Sequence, residues 1–188
     1  MAPSRPFLDL TLAEWLDELA AARAAPGGGS ALAVANAAAV LTMAARVSNA
    51  GGLVAQAEAL RARSAPLAQV DADTYAQALS VRDAGGELRQ EQRDWEIGKA
   101  FARAAEPPLE IARVAADVAE LAAELALNGA PAVRADAVAA AALAAGAARG
   151  CVTMVAVNLT AVEGDSRVAE ASRLADAAAA AAARAAAG

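Results

Sequence analysis

The residues of this chain whose types and spacing point to chemistry are two aspartates, a single tyrosine and a run of glycines. Leu60 and Leu67 stand seven residues apart, and steps of three and four carry the same seam through Ser64, Asp71, Thr74 and Ala78. An apolar helical stripe therefore turns polar midway along its length. Tyr75 follows Asp71 by one turn on nearly the same face. A carboxylate half buried in such a seam has a raised pKa and suits proton transfer near neutrality. The competing reading is a solvated acidic stretch shared with Asp73. Asp136 comes soon after Gly129-Ala130-Pro131, where an aspartate either caps or favourably charges a helix start, or serves a site. Arg134, two residues earlier, is either a surface cation or the partner of a ligand carboxylate.

The glycines form the run Ala25-Pro26-Gly27-Gly28-Gly29-Ser30, set directly before the apolar stretch Ala31–Ala45. Three glycines in a row pack nothing, so they serve the backbone. They join two helices and leave the second with free N–H groups and a positive dipole end turned toward the loop. That is a place for an anion or a carbonyl. Other chemistries are excluded by composition. The chain has no histidine, which removes a histidine base and a zinc site. The lone Cys151 forbids an internal disulfide and suits a reducing compartment. A net charge of −6 with Lys99 as the one lysine argues against nucleic acid as a partner.

The elements that position these residues are helices. The chain of 188 residues is 58% hydrophobic but only 3% aromatic, so its core must be built from alanine, leucine and valine, and alanine's helix propensity argues against strands. We expect an all-α fold over residues 1–188 as a single domain, an antiparallel bundle of about seven helices near 11–23, 30–48, 53–81, 87–105, 107–127, 133–161 and 165–187. Gly51-Gly52, Gly85-Gly86, Pro107-Pro108, Gly129-Ala130-Pro131 and Gly164-Asp165 mark breaks, and Pro66 kinks or restarts the third helix. Thr11 and Glu14 fit a capping box. Ile111, Val114, Val118, Leu121 and Leu125 form a bundle seam. The apolar run Ala135–Val162 carries Asp136, Arg149 and Asn158 and is mostly alanine, so it reads as a central small-residue helix and not a membrane span. With no targeting segment visible before Leu10, a cytoplasmic protein is expected. An alanine-rich surface extending over several helices favours an isologous homodimer. Asn158 lies about 33 Å from Asp136 if one helix joins them. Within one chain it then reads as a packing hydrogen bonder, unless a second protomer brings the missing end.

In order along the chain, Phe7-Leu8, Leu16, Leu19, the Ala-Pro-Gly-Gly-Gly-Ser run with its small-residue helix, Asp71-Ala72-Asp73-Thr74-Tyr75, Pro108-Leu109, Gly129 with Asp136-Ala137, and Val157-Asn158-Leu159 resemble the cyclodeaminase/cyclohydrolase family of folate enzymes. The resemblance implies a tetrahydrofolate derivative as substrate, no metal, and a homodimer with its site near the subunit contact. It also implies either hydrolysis of methenyltetrahydrofolate or cyclodeamination of formimidoyltetrahydrofolate. It favours Asp71 and Asp136 as catalytic carboxylates, with Gly27, Gly28, Gly29, Ser30, Tyr75, Arg134 and Asn158 toward the substrate. The sequence departs from the family's pattern at three places. The stretch Asn49-Ala50-Gly51-Gly52-Leu53 lacks the lysines found there, Ala130 replaces an asparagine, and Met154 replaces another one turn before Asn158. A folate-binding module without turnover and a purely structural bundle therefore stand beside the enzyme reading. The structural bundle leaves the glycine run unexplained.

Overall fold

The computed structural model describes residues 5–21, 29–84, 89–160 and 164–188. Among them the chain forms eight α-helices: α1 (Leu12–Ala20), α2 (Gly29–Val47), α3 (Gly51–Ser64), α4 (Leu67–Asp83), α5 (Gln90–Ala104), α6 (Glu106–Asn128), α7 (Arg134–Asn158) and α8 (Ser166–Ala187). Short 3-10 turns at Phe7–Asp9 and Pro131–Val133 complete the described elements, and none of these residues is in a strand. The expected Gly85-Gly86 break lies outside the described residues.

The eighth helix arises at Pro66. The single helix expected over 53–81 is divided there into α3 and α4, because proline brings no N–H to the ladder. Ala65 and Pro66 themselves keep helical backbone angles, so the interruption is short. The capping box at α1 forms as its spacing requires: the Thr11 hydroxyl accepts from the Glu14 N–H, and the Glu14 carboxylate accepts from the Thr11 N–H. Phe7 and Trp15 meet edge to face with centroids 4.8 Å apart, and the Phe7 N–H donates to Gln69 Oε1 at 3.1 Å. The N-terminal segment is thereby tied to α4.

Helices α2, α6, α7 and α8 pack on one another to form the heart of the bundle. Their facing stripes are alanine: Ala115, Ala119 and Ala122 on α6, Ala137, Ala140, Ala144 and Ala148 on α7, Ala171, Ala175, Ala178 and Ala181 on α8. Small side chains let the axes approach closely. Each buried methyl contributes only about 0.8 kcal/mol, so the core is a sum of many small terms anchored by Leu41, Leu109, Ile111 and Val114. The small-residue helix α7 sits at the hub, against α2, α6 and α8. It is not enclosed on every side. Leu143, Gly146, Gly150, Thr153 and Val157 form an open face in the single chain, because three neighbours cannot surround a helix completely. Helices α2 and α7 are both long and apolar enough to cross a membrane by composition, yet in the structure that apolar surface is divided between the bundle core and the open face.

Candidate active site

Five of the residues singled out from the sequence lie toward one end of the bundle. Gly29 is the first residue of α2 and Ser30 follows it, half-buried. Gly27 and Gly28 lie outside the described residues. A Cβ built on Gly29 meets no described atom within 4 Å, so the space beside the start of α2 is open. The Ser30 hydroxyl reaches 4.0 Å from the Met154 sulfur on α7. It also forms a hydrogen bond that eases ionisation of the Cys151 thiol. Met154 and Cys151 lie three residues apart on α7, and this is how two helices distant in sequence meet at the start of α2.

Asp71 belongs to the same cluster. It projects from α4 and is 4% exposed, with no hydrogen bond or ion pair to its carboxylate among the described residues. Burial alone raises its pKa from 3.8 to about 6. Burial likewise pushes the Cys151 thiol up to about 12; the Ser30 hydrogen bond opposes that rise and the Asp71 charge adds to it. Burial thus holds Cys151 as the neutral thiol and leaves Asp71, among the described residues, with a pKa close to neutrality. Tyr75, one turn along α4, is half-buried and meets Phe101 of α5 edge to face, with centroids 6.1 Å apart. Asn158 is buried at the end of α7, where its Nδ2 donates to the Ala104 carbonyl at 2.8 Å. This is the helix-packing hydrogen bond expected of it within a single chain.

Asp136 and Arg134 stand at the opposite end of α7. Asp136 is in the first turn of that helix without a capping hydrogen bond, the N-cap being Val133, so its charge favours the dipole and its side chain stays partly accessible. Arg134 Nη2 donates to the Ala185 carbonyl at 3.5 Å, closing the C-terminal turn of α8 with a cation. Fifteen residues of helix separate Asp136 from Cys151, about 22 Å along the axis. One protomer therefore does not bring Asp136 and Asp71 together. A cleft of about 390 Å³ opens where α2 ends, α3 begins and α6 ends, lined by Ser48, Gly51, Gly52, Gln56, Glu124 and Asn128. Ser48 Oγ accepts from the Ala130 N–H at 2.8 Å there, which fixes the turn leading into α7.

Sequence reasoning did not select Phe101, and it treated Cys151 only as a redox marker. The signal for Cys151 was present: it lies seven residues before Asn158, on the buried seam of α7. Phe101 carried no such signal, because its contact with Tyr75 joins two different helices, α4 and α5.

Residues 11–178 match the family model described as formiminotransferase-cyclodeaminase. The fold is similar to that of the crystal structure of formiminotetrahydrofolate cyclodeaminase from Thermotoga maritima, with a TM-score of 0.83 and 21% sequence identity over 95% of this chain and 94% of that one. No curated protein sequence matches the chain.

Proposed function

The chain belongs to the formiminotransferase-cyclodeaminase family, and from that premise we propose that it is a cytoplasmic one-carbon enzyme acting on a tetrahydrofolate derivative, with Asp71 as its proton-transfer group. The observation that carries this reading is the buried carboxylate of Asp71, without a hydrogen bond or ion pair among the described residues and within electrostatic reach of Cys151, which itself bonds Ser30 at the start of α2. Either of two reactions needs such a group. In cyclohydrolysis water adds to the methenyl carbon, its proton passing to a base, and the adduct opens as a folate nitrogen takes up a proton, leaving formyltetrahydrofolate. In cyclodeamination a folate nitrogen attacks the formimino carbon and loses its proton to the base, and the departing nitrogen takes up a proton and leaves as ammonia. With a pKa of about 6, Asp71 is mostly ionised at neutrality and begins either sequence as the base. The N–H groups at the start of α2 are suited to a carbonyl or to charge developing on the substrate. Tyr75 and Phe101 supply an aromatic wall one turn away.

We assign Asp136 to the same reaction through a homodimer. The open face of α7 has Leu143 43% and Val157 56% exposed, and neither Gly146 nor Gly150 would meet a described atom with an added Cβ. Two α7 helices packed antiparallel about the midpoint of Gly146 and Gly150 would set residue 136 of one opposite residue 160 of the other. The partner's Asp136 would then approach the Asn158 end, where Asp71 lies. A second reading, a folate-binding module without turnover, draws on the single protomer, in which Asp71 has no second carboxylate beside it among the described residues. Mixing the protein with methenyltetrahydrofolate and following its chromophore separates the two. Loss of absorbance supports the cyclohydrolase, and release of ammonia from formimidoyltetrahydrofolate supports the cyclodeaminase. A spectral change on binding with neither reaction supports the module, and no binding of any tetrahydrofolate defeats both readings.

A further inference from the structure

We propose that Asn158 is a positioning residue for the wall of the Asp71 site, and that it acts by donating the hydrogen bond that Pro108 withholds from the Ala104 carbonyl. Helices α5 and α6 follow one another with only Ala105 between them, and Ala105 keeps helical backbone angles. In such a run each carbonyl is satisfied by the N–H four residues on. For Arg103 and Ala104 those residues are Pro107 and Pro108, which have no N–H. Arg103 recovers a donor locally, since its carbonyl accepts from the Ala105 N–H. Ala104 does not, and it is 1% exposed, so its carbonyl is out of reach of bulk water. Asn158, itself buried, fills the gap from α7 with a 2.8 Å bond. An unmet carbonyl at such a place is costly, and this bond therefore fixes the C-terminal turn of α5 against α7.

That turn carries Phe101, whose ring stands at 82° to Tyr75, and Tyr75 lies one turn from Asp71. The connection runs from Asn158 through Ala104 and Phe101 to the aromatic neighbour of the carboxylate. Arg167 holds the same end of α5 independently, donating from Nη1 to the Ala102 carbonyl at 2.8 Å. Loss of the Asn158 bond therefore leaves α5 attached but free to shift. The importance of this position rests on the assignment of Asp71 and Tyr75 to the site, while the mechanical link itself does not.

Tyr75 is the single tyrosine of the chain, so growth on 3-fluorotyrosine places one fluorine label at the wall in question. In the full-length parent, the fluorine resonance is followed between pH 4.5 and 8 and reports ionisation of Asp71. Asn158→Ala is expected to move the resonance by more than its linewidth and to displace its pH midpoint. Pro108→Ala gives the Ala104 carbonyl its own N–H, so the double variant is expected to match Pro108→Ala alone. Should Asn158→Ala not fold, Asn158→Leu keeps the size, removes the donor without adding a titratable group and must produce a displacement in the same direction. A resonance unmoved by loss of the donor, or a displacement that persists equally in the double variant, overturns the proposal. The methenyltetrahydrofolate assay on the unlabelled parent is read separately. Its failure removes the folate reading and leaves the fluorine result standing, whereas an unmoved fluorine signal removes the positioning role whatever the folate result.

Discussion

Asp71→Asn should stabilise the folded chain at pH 8 while removing its proton-transfer group. Burial raises the Asp71 pKa from 3.8 to about 6. Between those values the native state holds a proton that the unfolded chain has already released. Stability therefore falls as pH rises through that window, and the whole penalty is present above about pH 6. At roughly 1.4 kcal/mol per pH unit, the penalty is about 3 kcal/mol. The substituted amide must find hydrogen bonds in a site that offers few, which returns about 1 kcal/mol of the gain. The net effect is about 2 kcal/mol at pH 8, or a rise in Tm of about 4–8 °C for a chain of this size. Near pH 4.5 about 1 kcal/mol of the penalty remains, because the unfolded chain still releases this proton there; the amide's own cost of about 1 kcal/mol offsets it, and the advantage should vanish. Thermal melts of parent and variant followed by circular dichroism from pH 4.5 to 8 read this directly. The carboxylates held low by partners, Asp165 by Arg167 and Glu110 by Arg63 and Arg113 despite its burial, lose their contributions below this range. A variant less stable than the parent at pH 8, or a difference in Tm that does not change with pH, would refute the assignment of an unpaired buried carboxylate.

The same group sets the pH profile of turnover: as the base, Asp71 should give a rate that rises through about pH 6 and then levels, and initial rates on methenyltetrahydrofolate or formimidoyltetrahydrofolate across pH 5–8 check it. Gly146→Arg should leave the helical signal and Tm of the protomer unchanged, since an added Cβ there meets open space, but should halve the mass measured by light scattering and abolish turnover; a variant that stays dimeric counts against the α7 face. Gly129→Ala should destabilise the chain by about 1–3 kcal/mol, because the new Cβ would lie 2.5 Å from the Leu125 carbonyl oxygen and 3.0 Å from Ser48 Oγ; denaturant melts with an unchanged midpoint would show that this turn yields more easily than its packing implies.

The all-helical class, the break at Pro66, the capping box at Thr11 and the polar turn in the seam at Asp71 were legible in the sequence, because each follows from contacts within a few residues. Proline lacks an N–H wherever it stands, and residues four apart on a helix share a face in any fold. The 25-residue length of α7 likewise separates Asp136 from Asn158 before any packing is known. What spacing left open was settled by the meeting of distant helices. Alanine stripes are nearly alike on α6, α7 and α8, so the sequence does not say which face of α7 is covered and which is left open. The thiol that feels the Asp71 charge lies on α7, 80 residues further on, and its partner Ser30 lies on α2; no local rule pairs Ser30 with Cys151 or Tyr75 with Phe101. Asn158 carries both lessons. Its place on the buried seam could be read from spacing, but its partner is a carbonyl orphaned by a proline fifty residues earlier, and only the packing of α7 against the α5–α6 junction brings the two together.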